Sequence, residues 1–165
     1  MERFVIGILV ANVSGVLTRV SSMFTRRSFN IDSLTVGETE SKEFSRMTIA
    51  FHGDEHIKNQ LIKQLAKLHD VKEIEVLDRH ETVSRELLLI KVKNTSETRQ
   101  DILAAVDIFR SKIVDYSTDA LCCELTGESS KIEAFIELLK PFGIIEMCRT
   151  GVVALERGCN CLRSE

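Results

Sequence analysis

The residues whose types and spacing could do chemistry gather near the start of the 165-residue chain, in Asn12-Val13-Ser14-Gly15-Val16-Leu17. An apolar run ends at Val10, a polar turn follows, and an apolar stripe of helical period begins at about Gly15. Asn12 or Ser14 can cap that helix by accepting a backbone N–H bond. Gly15 carries no side chain, so the backbone there can approach a bound group closely. Open N–H groups at a helix start attract a carboxylate or a phosphate. The plainer alternative is a capped turn with no ligand. A second polar residue, Asn30, stands just past the stripe and leads Asn30-Ile31-Asp32-Ser33-Leu34-Thr35-Val36. An Asn in that place can terminate a helix in the left-handed conformation. As a ligand, its amide oxygen accepts from an ammonium while its NH2 donates to a carboxylate. A helix start, an Asn and nearby Val and Ile side chains suit a small aliphatic amino acid.

The remaining constellations are weaker. His52 and His56 flank Glu55, but Gly53 and Asp54 read as the turn and N-cap of a helix. The two histidines then straddle a boundary rather than share a face. His69 and His80 have no Cys companion at metal spacing, and neither is expected to hold a metal. Cys159-Asn160-Cys161 offers two thiolates where a structural zinc takes four ligands, so no metal is expected. The five cysteines are expected to be reduced, with Cys122 and Cys123 on opposite faces of one strand. No Gly-rich phosphate loop, G-x-S-x-G or P-loop is present, and no catalytic residues are expected.

Composition narrows the classes further. With 44% hydrophobic and 28% charged residues and a net charge of -3, the chain is neither expanded nor disordered. Its apolar runs fall far short of the roughly 18 residues that cross a bilayer, so no membrane span is expected. Eight Phe, one Tyr and no Trp, without a basic run among them, argue against a nucleic-acid partner. Met1-Glu2-Arg3-Phe4 lacks the basic and apolar segments of a signal peptide, so a cytoplasmic location is expected.

The elements that must position these residues follow from periodicity. Helical stripes run through Val16, Leu17, Val20, Met23 and Phe24; Ile57, Leu61, Leu65 and Leu68; Ile102, Val106 and Phe109; and Ile132, Phe135, Ile136 and Leu139. Strand-like runs lie at 4–10, 31–36, 46–51, 71–77, 86–92, 113–116, 120–125 and 144–155, the last broken at Thr150-Gly151. Shifting the sequence by 74 positions lays Phe51 on Leu125, Gly53 on Gly127, Leu61 on Phe135 and Leu65 on Leu139. The predicted fold is α+β: two tandem ferredoxin-like βαββαβ domains, each a four-stranded antiparallel sheet with two helices on one face. The expected boundaries are 1–78 and 84–165, joined by a linker at 79–83. Each sheet leaves one face and its edges open, which predicts a homodimer.

Several stretches together carry a resemblance: Asn12-Val13-Ser14-Gly15-Val16-Leu17-Thr18-Arg19, Phe29-Asn30-Ile31-Asp32-Ser33-Leu34-Thr35-Val36, Ser45-Arg46-Met47-Thr48-Ile49, Ile108-Phe109-Arg110 and Arg149-Thr150-Gly151-Val152-Val153-Ala154-Leu155. On these the chain resembles the small, regulatory subunits of acetolactate synthase (acetohydroxyacid synthase), which begin with an ACT domain. The resemblance implies a partner, the catalytic subunit, carrying thiamine diphosphate, Mg and FAD, with no cofactor on this chain. It implies activation of that subunit and feedback inhibition by valine in branched-chain amino acid biosynthesis. It also implies a homodimer through the ACT domains, whose effector site takes Asn12, Gly15, Val16 and Leu17 from one chain and Asn30 and Ile31 from the other. A free-standing ACT-type sensor acting on a different partner is the alternative. Two departures stand out: Ser28 where many members have Gly, and Val13 where some have Glu. Ser28 predicts an altered turn before Asn30, because a side chain in the left-handed region costs about 1 kcal/mol.

Overall fold

The computed structural model describes residues 2–162. In the first unit, β1 (Glu2–Ala11), α1 (Val16–Thr25), β2 (Ser33–Glu38), β3 (Phe44–Gly53), α2 (Glu55–Leu65) and β4 (Val71–Val76) follow in that order. They build one antiparallel sheet of order β2-β3-β1-β4. Period-2 alternation aims Phe4, Ile6, Ile8 and Val10 of β1 and Met47, Ile49 and Phe51 of β3 to one face. Val16, Val20 and Phe24 of α1 with Leu61 and Leu65 of α2 close the core on that same face.

The second unit repeats the plan. Here β5 (Thr82–Lys93), α3 (Arg99–Phe109), β6 (Lys112–Tyr116), β7 (Ala120–Gly127), α4 (Ser129–Leu139) and β8 (Ile144–Arg149) give the order β6-β7-β5-β8. The helices α2 and α4 have equal length and lie 74 positions apart. Gly53 and Gly127 keep the same register: a Cβ on either would come within 2.9 Å of Ile57 or 2.8 Å of Lys131, each four residues on. Both unit-opening strands also carry an irregularity at a matching point, between Leu9 and Val10 and between Lys91 and Val92. Cys123 faces the core of this unit, where burial pushes its thiol up to about 11, while Cys122 faces the other way and is half-buried.

The structure departs from the expected boundaries at the end of the chain. Residues 2–83 and 152–162 form the first unit and 84–151 the second, so the segment after Gly151 belongs with the first sheet. The expected linker is also shorter, since β5 begins at Thr82. A ninth strand, β9 (Val153–Glu156), follows the break and adds to the expected eight.

This tail lies on the face of the first sheet that the helices leave open. Thr35 Oγ1 donates to the Val152 carbonyl at 2.9 Å, Arg46 Nη2 donates to the Ala154 carbonyl at 3.0 Å, and the Val152 amide points at Ser33 Oγ at 3.5 Å. Val152 and Ala154 bury against Val5, Ala50 and Leu77. Part of the open face is therefore covered from within the chain rather than by a second copy.

The tail carries a charge conflict. Burial, and then the neighbouring Glu156, hold the Glu75 carboxyl above its ordinary value, with Arg46 opposing. Because the folded value is raised, the protonated form stabilises the attached tail. That contribution is present below about pH 4.5 and is lost as pH rises through the folded value. At neutral pH, Glu156→Gln is expected to remove the repulsion and tighten the tail. The measurement is hydrogen exchange at the Arg157 amide, which donates to the Glu81 carbonyl at 2.7 Å. Slower exchange than in the unmodified protein is expected at pH 7, and the difference should vanish at pH 4. Equal exchange at both values would remove the carboxylate pair from consideration.

Candidate functional site

The loop from β1 to α1 is fixed by Asn12. Its Nδ2 donates to the Lys42 carbonyl at 3.0 Å and to Glu38 Oε1 at 3.2 Å, while its Oδ1 accepts from Ser45 Oγ at 3.1 Å. Its backbone N–H donates to the Glu43 carbonyl at 2.7 Å. The side chain thus ties the end of β1 to the β2–β3 turn. The second unit repeats the device: Asn94 donates from its backbone to the Asp119 carbonyl and from Nδ2 to the Ser117 carbonyl, both within 2.9 Å. The matching segments read Val10-Ala11-Asn12-Val13-Ser14 and Val92-Lys93-Asn94-Thr95-Ser96, an offset of 82 that a second shift of the sequence would have exposed.

Neither Asn12 nor Ser14 caps α1. Gly15 itself takes the N-cap position at φ 85° and ψ -7°, with no side chain accepting from the first turn. The contrast is α2, where Asp54 caps as expected and its carboxylate accepts from the Ile57 amide at 2.8 Å. Val16 turns into the core, and Leu17 is exposed on the adjoining face. Arg19, which the motif reading passed over, reaches back over the loop. A Cβ on Gly15 would lie 2.9 Å from Arg19 Nη1. The guanidinium is held there by Asp70 Oδ2, which accepts from Nε at 2.6 Å. The first turn of α1 therefore combines an uncapped helix start, a backbone without a side chain, and a guanidinium already paired with Asp70.

Asn30 and Ile31 lie elsewhere. Ser28 keeps the left-handed conformation, at φ 57°, and the Phe29 amide donates to the Phe24 carbonyl at 3.0 Å, closing the helix end. The serine thus occupies the left-handed position itself and carries the strain there. Ser28→Gly is accordingly expected to stabilise the first unit by about 1 kcal/mol. A urea titration would read this as a higher midpoint with unchanged slope; an unchanged or lower midpoint would mean the serine has a compensating contact. Beyond the turn, Asn30 is exposed and donates from Nδ2 to Asp32 Oδ1 at 3.3 Å, and Ile31 packs partly against the core.

The register shows that one chain does not unite these residues. Asn12 follows Ala11, which pairs with Phe44, whereas Asn30 precedes Ser33, which pairs with Ala50. Six residues of β3 separate the two levels, roughly 20 Å at the rise of a strand. Asn12, Gly15, Val16 and Leu17 sit at one end of the sheet, and Asn30 and Ile31 at the other.

Both units have the βαββαβ plan of ferredoxin-like domains, and the first has an open helix start beside the end of β1. Residues 6–73 match the family described as the AHAS small subunit-like ACT domain, and residues 85–158 match the small subunit of acetolactate synthase. This chain belongs to the family of acetolactate synthase small subunits. It is 48% identical over 153 residues to the acetolactate synthase small subunit of Mycolicibacterium smegmatis, covering 93% of this chain and 90% of that one. To the Bacillus subtilis acetolactate synthase small subunit it is 46% identical over 155 residues, covering 93% and 90%. The crystal structure of the small subunit from Thermotoga maritima superposes with a TM-score of 0.87 at 41% identity, covering 96% of this chain and 99% of that one.

Among the described residues no helix is long and apolar enough to cross a membrane. No group of three or more His, Cys, Asp or Glu is arranged there to hold a metal ion. Cys159 and Cys161 are both exposed.

Proposed function

We propose that this chain is the regulatory subunit of an acetolactate synthase. It raises the activity of the catalytic subunit and confers feedback inhibition by valine in branched-chain amino acid biosynthesis. It performs no chemistry of its own: thiamine diphosphate, Mg and FAD belong to the catalytic subunit, and the holoenzyme works in the cytoplasm.

The observation that carries the regulatory reading is the separation of the site residues. Asn12, Gly15, Val16 and Leu17 cannot meet Asn30 and Ile31 within one sheet. In this reading two ACT units pair, so that the helix start of one faces the Asn30 turn of the other. The effector carboxylate then lies at the first turn of α1, where the open backbone amides of the helix start favour negative charge and the Nη atoms of Arg19, whose Nε is held by Asp70, stand close by. Asn12 holds the loop in place, Asn30 meets the polar end from the partner, and Leu17 and Ile31 line the aliphatic part. A site made by two chains links occupancy to assembly geometry. Valine favours one dimer arrangement, and that arrangement supports the catalytic subunit less well. A ligand shifts such an equilibrium only by its differential affinity, which sets the scale at about 1–3 kcal/mol.

The partner is tested by affinity capture with the full-length chain from its own cell extract. Recovery of a large thiamine-diphosphate enzyme is expected. Recovery of a different enzyme in its place would make the chain a free-standing amino-acid sensor.

A further inference from the structure

We propose that Asp32, held by His52, sets the polarity of the Asn30 side chain and so selects effectors that carry a free ammonium group. The inference rests on the reading of Asn30 as an effector contact and names what that contact recognises. An Asn amide can turn either its oxygen or its NH2 outward; the two ends match in shape, so the neighbouring groups decide. Here Asn30 Nδ2 donates to Asp32 Oδ1 at 3.3 Å. The reversed amide would set two acceptor oxygens against each other with no proton between them. The outward group is therefore Oδ1, an acceptor. Of the two charged ends of an amino acid, only the ammonium can donate to it.

The carboxylate is itself held from two sides. The Asp32 amide donates to the Ala50 carbonyl at 2.9 Å, fixing the backbone, and His52 Nδ1 lies 2.6 Å from Asp32 Oδ2. The imidazole occupies the second oxygen and leaves the first for Asn30. His52 and Asp32 are positioning residues: they touch Asn30, or each other, and act on the effector through its amide. His52 stands on β3 immediately before Gly53 and Asp54, so the end of that strand and the cap of α2 fix where it begins.

The test compares L-valine with 3-methylbutanoate, which keeps the carboxylate and the isopropyl group and lacks the ammonium. Both are titrated calorimetrically into the full-length protein. The unmodified protein is expected to prefer L-valine by at least about thirtyfold. Asp32→Ala, which frees the amide to turn, is expected to lower that preference about tenfold, chiefly by weakening L-valine. His52→Ala should act in the same direction, and His52→Asn, which returns an amide donor at the level of Nδ1, should restore most of the preference. Equal weakening of both ligands in Asp32→Ala, or an unchanged preference, would overturn the positioning role and leave the effector site standing. A failure of His52→Asn to improve on His52→Ala would remove His52 from the chain of contacts. Absence of L-valine binding to the unmodified protein would overturn the effector reading, and this inference with it.

Discussion

Gly15→Asp abolishes saturable L-valine binding by the full-length chain: a loss of at least about thirtyfold in affinity is the expected result. Three effects act in the same direction. The glycine sits at φ 85°, where any side chain is strained by about 1 kcal/mol. A Cβ there would come within 2.9 Å of Arg19 Nη1, so the guanidinium must shift. The new carboxylate would also take the place proposed for the effector's own, at the same helix start and beside the same arginine. Gly15→Ala separates these effects, since it adds the strain and the contact without the charge, and should lose only a few-fold. Calorimetry of both variants against L-valine, with D-valine as control, reads the difference. Affinity of Gly15→Asp within threefold of the unmodified protein would move the effector away from the first turn of α1.

The largest expected effect on stability lies in the second unit. Glu86 is 3% exposed, its Oε1 accepts from Arg149 Nε at 2.6 Å, and its Oε2 accepts from Ser129 Oγ at 3.2 Å. Arg149 Nη1 also donates to Glu133 Oε1 at 2.6 Å, and both carboxylates, Glu86 first, hold the guanidinium above its ordinary value. Arg149→Met leaves the buried Glu86 without its partner and is expected to cost about 3–4 kcal/mol. A buried pair is itself of small net benefit, because desolvation offsets much of the attraction. The double variant Glu86→Leu with Arg149→Met should therefore recover most of that loss. Urea unfolding of the unmodified protein, the two single variants and the double variant closes the cycle. A loss under 1 kcal/mol in Arg149→Met would mean that Glu86 finds water or another donor.

Much of this fold could be read from local pattern. The stripe Ile132, Phe135, Ile136 and Leu139 is buried as a set, and the break at Thr150-Gly151 does separate β8 from β9. These features depend on near neighbours, for which spacing is a sufficient signal. The destination of Val152 to Glu156 was not legible, because an apolar run does not say which open sheet face it will cover. The receiving groups, Ser33, Thr35 and Arg46, lie more than 100 positions away. They also give a physical reason for two of the stretches that carried the family resemblance, since their side chains meet the tail's backbone.

At the candidate site the glycine was legible and its surroundings were not. An Asn after a strand reads equally as ligand, cap or turn clamp, and only the positions of Glu38, Lys42 and Ser45 show the clamp. Arg19 was passed over because its approach to Gly15 depends on Asp70, 51 positions along the chain. Ser28 was expected to alter its turn. Instead Ser28 itself adopts the left-handed geometry, and the Phe29 to Phe24 bond closes the helix end around it.

The regulatory assignment is tested most directly by acetolactate formation. The purified catalytic subunit is assayed alone, then with this full-length chain, then with the chain and L-valine. The expected result is a rise in activity on adding the chain, followed by a saturable fall with L-valine that the Gly15→Asp protein does not show. Catalytic activity that ignores the chain at saturating concentration would contradict the assignment.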